Sequence, residues 1–150
     1  MNAQNQYATA ATLTSEATPD AELRAAQETI EFGERLAREG LPGVEPLGRL
    51  SPDERAHFVS PVRFGRRRSD QCGHLELTSA RLRFHGALDV GVAWSEVVSV
   101  ERCGCEIAVG LATSRRILRF TCYAATEAAR GTLIARHLAR AHDTHLQECP

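Results

Sequence analysis

Gly73-His74-Leu75-Glu76-Leu77-Thr78-Ser79-Ala80-Arg81-Leu82-Arg83-Phe84-His85-Gly86-Ala87-Leu88-Asp89-Val90-Gly91-Val92-Ala93-Trp94 is the stretch whose pattern decides the fold. Leu75 and Leu77 alternate with His74, Glu76 and Thr78; after the short Ser79-Ala80 link, Leu82 and Phe84 alternate with Arg81, Arg83 and His85. Side chains in a strand point to opposite faces in turn, so this is a hairpin with one apolar face. Beyond Gly86 the alternation resumes with Val90, Val92 and Trp94 against Asp89, Gly91 and Ala93, which extends the hairpin into an antiparallel meander.

Working outward, further strands are predicted on both sides. Upstream, residues 55–64 carry Phe58 and Val62, with Pro61 suggesting an edge or a bulge because proline has no N–H for a ladder. Downstream, Val97, Val98 and Val100 mark a fifth strand that breaks at Cys103-Gly104-Cys105. Ile107, Val109 and Leu111 alternate in a sixth, and Leu118, Phe120 and Cys122 in a seventh after Ser114-Arg115-Arg116. Residues 124–142 place Ile134, Leu138 and Ala141 at helical spacing, with Gly131 the one break in that pattern.

The N-terminal third reads differently. Residues 1–17 offer little to bury and are expected to be a disordered tail. Thr18-Pro19-Asp20 is a helix start, with a hydroxyl cap, proline at the first helical position and an acid where the helix dipole favours it. Gly40 followed by Pro42 is the matching stop, so residues 18–40 are expected to form an amphipathic helix. Leu23, Ala26, Ile30, Gly33 and Ala37 recur at spacings of three and four, and that stripe is the expected buried face. Residues 41–53, with Pro42, Gly43, Pro46, Gly48 and Pro52, are a linker outside regular structure.

Seven short antiparallel strands followed by one amphipathic helix resemble the pleckstrin-homology-like superfold, and especially its GRAM-type and bacterial branches. The residues carrying the resemblance are Gly73 to Thr78, Arg81 to Phe84, and Val92-Ala93-Trp94-Ser95-Glu96-Val97-Val98-Ser99-Val100. It implies a mainly β fold with α: a partly open barrel over residues 54–142, closed by a C-terminal helix, with residues 143–150 as a second tail. Leu75, Leu77, Leu82, Phe84, Val92, Trp94, Val100, Ile107, Val109, Leu118, Phe120 and Leu138 are the expected core.

Composition bounds the function classes. The 150 residues suit one domain with appendages, and the formal net charge of −1 hides an acidic N-terminal third and a mildly basic remainder. All 18 basic residues are arginine, which reflects codon usage in a GC-rich genome rather than selection for phosphate. Five cysteines and an N-terminus with neither a basic start nor an apolar core point to the cytoplasm, and no run is long and apolar enough to span a bilayer.

Four groups of residues are candidates for chemistry. Arg63 with Arg66, Arg67 and Arg68 lies at the first strand and the loop after it, where the resemblance implies a grip on an anionic headgroup. The second strand departs from that pattern, bearing His74 and Glu76 in place of a basic partner. Arg81, Arg83 and His85, with Arg115 and Arg116 in a later turn, form a basic stripe, which Glu76 and Asp89 are expected to offset in a cross-strand network on a solvated face. Aromatics amount to 5%, and Phe84 and Trp94 point inward, which argues against stacking on nucleic acid.

Cys103-Gly104-Cys105 lacks the paired spacing of a structural zinc site unless Cys72 and His74 approach it in space, and a plain turn is expected, without metal. His137, His142 and His145 are expected at the surface. Glu76, Asp89, Glu96 and Glu101 stand singly, and no nucleophile elbow, phosphate loop or His-Glu-x-x-His pair occurs, so neither an enzyme nor a cofactor is expected.

The expected function is a noncatalytic adaptor that binds a protein partner. Its surfaces would be a sheet edge near Pro61 and the helix residues Leu23, Ile30 and Ala37, which also offer a weak seam for a homo-oligomer through residues 20–40. The alternative is peripheral attachment to an anionic membrane through Arg63, Arg66, Arg67 and Arg68, aided by Arg115 and Arg116.

Overall fold

A computed structural model describes residues 18–65 and 71–148. The expected tail at 1–17 therefore lies outside the described residues. Helix α1 spans Pro19–Glu39, with the Thr18 hydroxyl accepting the Ala21 N–H at 3.1 Å. At its end Gly40 adopts φ 79°, a left-handed conformation that glycine reaches without a Cβ clash, and its N–H closes on Leu36 O.

Seven strands follow: β1 Ala56–Phe64, β2 Gln71–Thr78, β3 Arg81–His85, β4 Val90–Ala93, β5 Val97–Cys103, β6 Glu106–Leu111 and β7 Ile117–Cys122. They form one antiparallel sheet in the order β4-β3-β2-β1-β7-β6-β5, and a 3-10 turn at Trp94–Glu96 links its two edge strands. Helix α2 spans Ala125–Glu148. It runs past the expected stop at 142, so the C-terminal tail assigned to 143–150 is helical as far as Glu148. Neither glycine nor proline interrupts the chain there until Pro150.

The concave face of the sheet holds the core, which includes Leu75, Leu77, Leu82, Phe84, Val92, Trp94, Val100, Ile107, Val109 and Phe120, with Ile134 and Leu138 from α2. Leu118 is half-buried against it. Phe64 stacks on Phe84 at 5.1 Å between ring centroids and lies 5.0 Å from Phe120, so aromatic contacts tie β1, β3 and β7. Gly131 explains itself here: a Cβ would lie 2.8 Å from Ile107 Cδ1 and 3.0 Å from Phe58 Cζ, so glycine lets α2 sit directly on the barrel.

Three expectations are corrected. First, β1 is no edge strand. β2 pairs along it from Ala56 to Phe64, with a bulge between Ala56 and Phe58, and β7 flanks Val62 to Phe64. Pro61 sits where the β7 ladder has not yet begun, which is why its missing N–H is tolerated. On the other edge, the carbonyl of Val100 in β5 is occupied by Arg136 Nε at 2.8 Å.

Second, the face of α1 turned to the protein is Ala25, Phe32 and Leu36, whereas Leu23 and Ile30 are 60% and 63% exposed, and Ala26 and Ala37 are exposed too. The apolar arc of α1 is wide, and the larger side chains on its other half take the buried position. Arg130 and Arg35 stack on Phe32 at 5.7 and 5.6 Å, Arg130 pairs with Glu28, and Arg102 of β5 pairs with Glu22 at 3.1 Å. The helix is thereby fixed on its own α2 and β5.

Third, the outer face of β2 and β3 is covered. Glu76 is fully buried; it accepts the Leu47 N–H at 3.0 Å and His85 Nε2 at 2.9 Å. The linker that follows α1 lies over this face, held also by His57 Nδ1 donating to Pro42 O at 2.7 Å and by the Val44 N–H donating to Ala56 O at 3.1 Å. Arg81 pairs with the buried Glu54, so the expected cross-strand network survives as the Glu76–His85 pair, on a covered face instead of a solvated one.

Candidate functional site

Strand register brings three loops toward one side of the barrel. β1 ends at Phe64, opposite Phe120, and the Gly65 N–H donates to Arg119 O at 2.9 Å. From Arg119 the chain leads back through Ile117 to the turn at residues 112–116, beyond the end of β1. On the other side of β1, His74 of β2 faces His85 of β3, and the Leu88 N–H donates to Gln71 Oε1 at 3.0 Å, so the β3–β4 loop leaves the sheet beside the β1–β2 loop.

This arrangement places Arg63, at the end of β1, on the side of the barrel to which Arg115 and Arg116 also belong. Arg66, Arg67 and Arg68 lie outside the described residues. Arg115 and Arg116 are exposed, and Arg115 holds φ 50°, a left-handed conformation that an L residue adopts at a cost of about 1 kcal/mol. Leu88 and Ile117 are large apolar side chains exposed in the same region. Arg119, by contrast, is engaged by Glu106 at 2.7 Å. Exposed arginines at the same end of the sheet as exposed aliphatic side chains suit a surface that is anionic and partly apolar.

The second basic group has dispersed. Arg81 is bound bidentately by Glu54, with Nε to Oε2 and Nη2 to Oε1 both at 3.1 Å. That guanidinium, with help from the Thr78 hydroxyl, holds the Glu54 carboxyl down at about 2. His85 turns to Glu76, and Arg83, whose Cα faces Glu76 across the ladder, is half-buried. These side chains fasten the linker to the sheet instead of offering a stripe to a ligand. The sequence signal for this was the run of acids and prolines from Glu45 to Glu54, whose partners become visible only in three dimensions.

Cys105 and Cys122 adjoin, the Cys122 N–H donating to Cys105 O at 2.8 Å, but Cys72 stands apart. Cys72 faces Arg63, Arg63 faces Thr121, Thr121 faces Glu106 and Glu106 faces Cys103, so Cys72 and Cys103 are four strand spacings apart, about 19 Å along a sheet. Gly104, at φ 61°, forms the tight turn between Cys103 and Cys105. Burial pushes the Cys122 thiol up to about 12. Among the described residues no group of three or more His, Cys, Asp or Glu side chains is placed to hold a metal ion. His137 is exposed and His142 half-buried; the side chain of His145 lies outside the described ones.

α1 contributes the other candidate surface. Leu23 and Ile30 lie seven residues apart and exposed on α1, with Ala37, also exposed, a further seven on. Among the described residues, no helix is long and apolar enough to cross a membrane.

One open antiparallel sheet of seven strands with a C-terminal helix packed on it fits the architecture that the pleckstrin-homology-like resemblance implies. The chain is similar to the inner membrane complex sub-compartment protein 3 of Toxoplasma gondii, with a TM-score of 0.50 and 12% identity over 57% of this chain and 77% of that one. It also matches the C-terminal domain of an unknown protein from Leishmania infantum, with a TM-score of 0.46 and 12% identity over 74% of this chain and 97% of that one. At such identity the first likeness speaks for the fold alone. No protein-family model matches the sequence, and no curated protein matches it.

Proposed function

We propose that this chain is a noncatalytic interaction module that binds a protein partner in the cytoplasm through the outer stripe of α1. The observation that carries this reading is the division of α1 into two apolar halves. Ala25, Phe32 and Leu36 hold the helix on the barrel, while Leu23 and Ile30 remain exposed on a helix already immobilised by two ion pairs. A helix fixed before binding loses little conformational entropy on docking, so its exposed side chains are efficient anchors. The test compares the full-length chain with a Leu23→Ser/Ile30→Ser variant as bait. A partner retained by the wild type, lost by the variant, and reconstituted as a complex from purified components supports the reading. Identical interactors for both baits would remove it.

A second reading is favoured by the exposure of Arg115, Arg116, Leu88 and Ile117 at the end of the sheet where β1 finishes after Arg63: peripheral attachment to an anionic membrane, with Arg66, Arg67 and Arg68 as further contributors. Each basic residue near such a surface contributes about 1 kcal/mol, and the attraction weakens with salt. Sedimentation with vesicles containing phosphatidylserine decides it. Binding that is lost when Arg115 and Arg116 become alanine supports attachment, and binding indifferent to the substitution or to salt sinks it.

A further inference from the structure

A groove of about 490 Å³ opens between the two helices, lined by Gly33, Leu36 and Ala37 of α1 and by Leu133, Arg136, His137, Arg140 and Ala141 of α2. A smaller cavity of about 190 Å³ adjoins it; the two share Leu133 and Arg136, and the smaller adds Arg102. Neither lining contains a carboxylate; Arg102 is already paired with Glu22, and Arg136, Arg140 and His137 border an apolar floor. Volumes of roughly 300–1,000 Å³ with a few convergent polar groups are the usual form of small-molecule sites.

Arg136 is the distinctive residue. Its Nε is spent on Val100 O at 2.8 Å, which fixes the guanidinium plane against the wall shared by both cavities. Its terminal nitrogens make no hydrogen bond to the described residues. An anion in the groove satisfies an arginine that is already oriented.

The floor specifies the rest of the ligand. Leu36, Ala37, Leu133 and Ala141 present aliphatic surface, and Gly33 leaves open space where a side chain would otherwise reach in. Residues 133 to 141 cover about 12 Å of helix, which matches an extended ten-carbon chain.

We infer that this groove binds a single-chain amphiphile with an anionic carboxylate head, the carboxylate on Arg136 and the chain along the seam between α1 and α2. The experiment is a titration of the full-length, isotope-labelled protein with decanoate below its aggregation concentration, followed by amide chemical shifts, with decanol as the uncharged control. Saturable shifts confined to residues 33–41 and 133–141, with decanol at least tenfold weaker, are expected. Arg136→Gln should weaken decanoate at least tenfold. Because that variant also frees the Val100 carbonyl, Gly33→Leu serves as the second: it raises helix propensity while filling the groove, and should abolish binding without lowering the melting temperature. Equal binding of decanol, shifts scattered over the barrel, no binding at all, or undiminished binding to Gly33→Leu would each overturn the assignment.

Discussion

Arg81, the first residue of β3, grips Glu54, just ahead of β1, through two parallel hydrogen bonds of 3.1 Å, and so locks the end of the α1–β1 linker onto the β2–β3 turn. The Thr78 hydroxyl donates to the same carboxylate and accepts the Arg81 N–H at 3.1 Å, so hairpin and linker share one polar knot.

That knot makes stability depend on acid. The folded Glu54 carboxyl titrates near 2, below its ordinary 4.5, with the Arg81 hydrogen bonds as the leading cause. A depressed carboxylate contributes stability that is complete above the ordinary value and is lost as pH falls from about 4.5 through about 2. The contribution should be about 1–2 kcal/mol once the partial exposure of Arg81 is discounted. Denaturant midpoints of wild type and Glu54→Gln should differ at neutral pH and converge near pH 2. A gap that stays constant across that window contradicts the account.

Trp94, the single tryptophan, is buried and donates its indole N–H to Thr78 O at 2.8 Å. Its fluorescence should be blue-shifted and poorly quenched by acrylamide, becoming that of solvated indole only on unfolding. Trp94→Ala should cost about 3–5 kcal/mol. A solvated spectrum from the native protein would be incompatible with this core.

Phe32 is the main apolar contact of α1. Phe32→Ala should destabilise by about 2–4 kcal/mol and release the helix. Hydrogen exchange is the discriminating measurement: amides of residues 22–39 should lose protection while those of β2 and β3 keep theirs. Equal acceleration throughout would show that α1 and the barrel open together.

Gly73 lies against β3 so closely that a Cβ would stand 2.3 Å from His85 O and 2.7 Å from Phe84 Cζ. Because one of these atoms is backbone, no rotamer change relieves the contact. Gly73→Ala should therefore cost about 1–3 kcal/mol, measurable as a lowered melting temperature. A neutral effect would place β2 and β3 further apart than described.

Thiol chemistry reports on burial. Cys72 and Cys103 are exposed, whereas Cys122 is buried and its thiol is pushed up to about 12. At pH 7.5 a thiol reagent should label Cys72 and Cys103 in the native protein and reach Cys122 only after denaturation. Mass spectrometry of the digested, labelled chain distinguishes these sites, and rapid native labelling of Cys122 would refute its place beneath α2.

The strands were legible because their signals are local. Leu75/Leu77, Leu82/Phe84, Ile107/Val109 and Phe120/Cys122 each alternate, and Gly104 and residues 112–116 punctuate them at turns. The face of α1 was less so: residues 23, 26, 30, 33 and 37 and residues 25, 32 and 36 both follow helical spacing. The greater volume of Phe32 and Leu36 was the available sign of which half packs inward. In the candidate sites, the arginines were visible as runs, but that Arg63 and the turn carrying Arg115 and Arg116 lie at one end of the sheet depends on β1 pairing with β7, strands more than fifty residues apart.

By itself, then, the sequence determined the seven strands, the caps of α1 and the strand part of the core, since each rests on periodicity or on backbone preferences acting within a few residues. Only the tertiary structure decided that Glu54 and Glu76 are buried, that Leu23 and Ile30 are not, and that Arg136 stands over a groove between two helices. Burial is a property of whatever is laid over a residue. Here the covering segments, the linker over β2 and α1 over α2, come from distant parts of the chain.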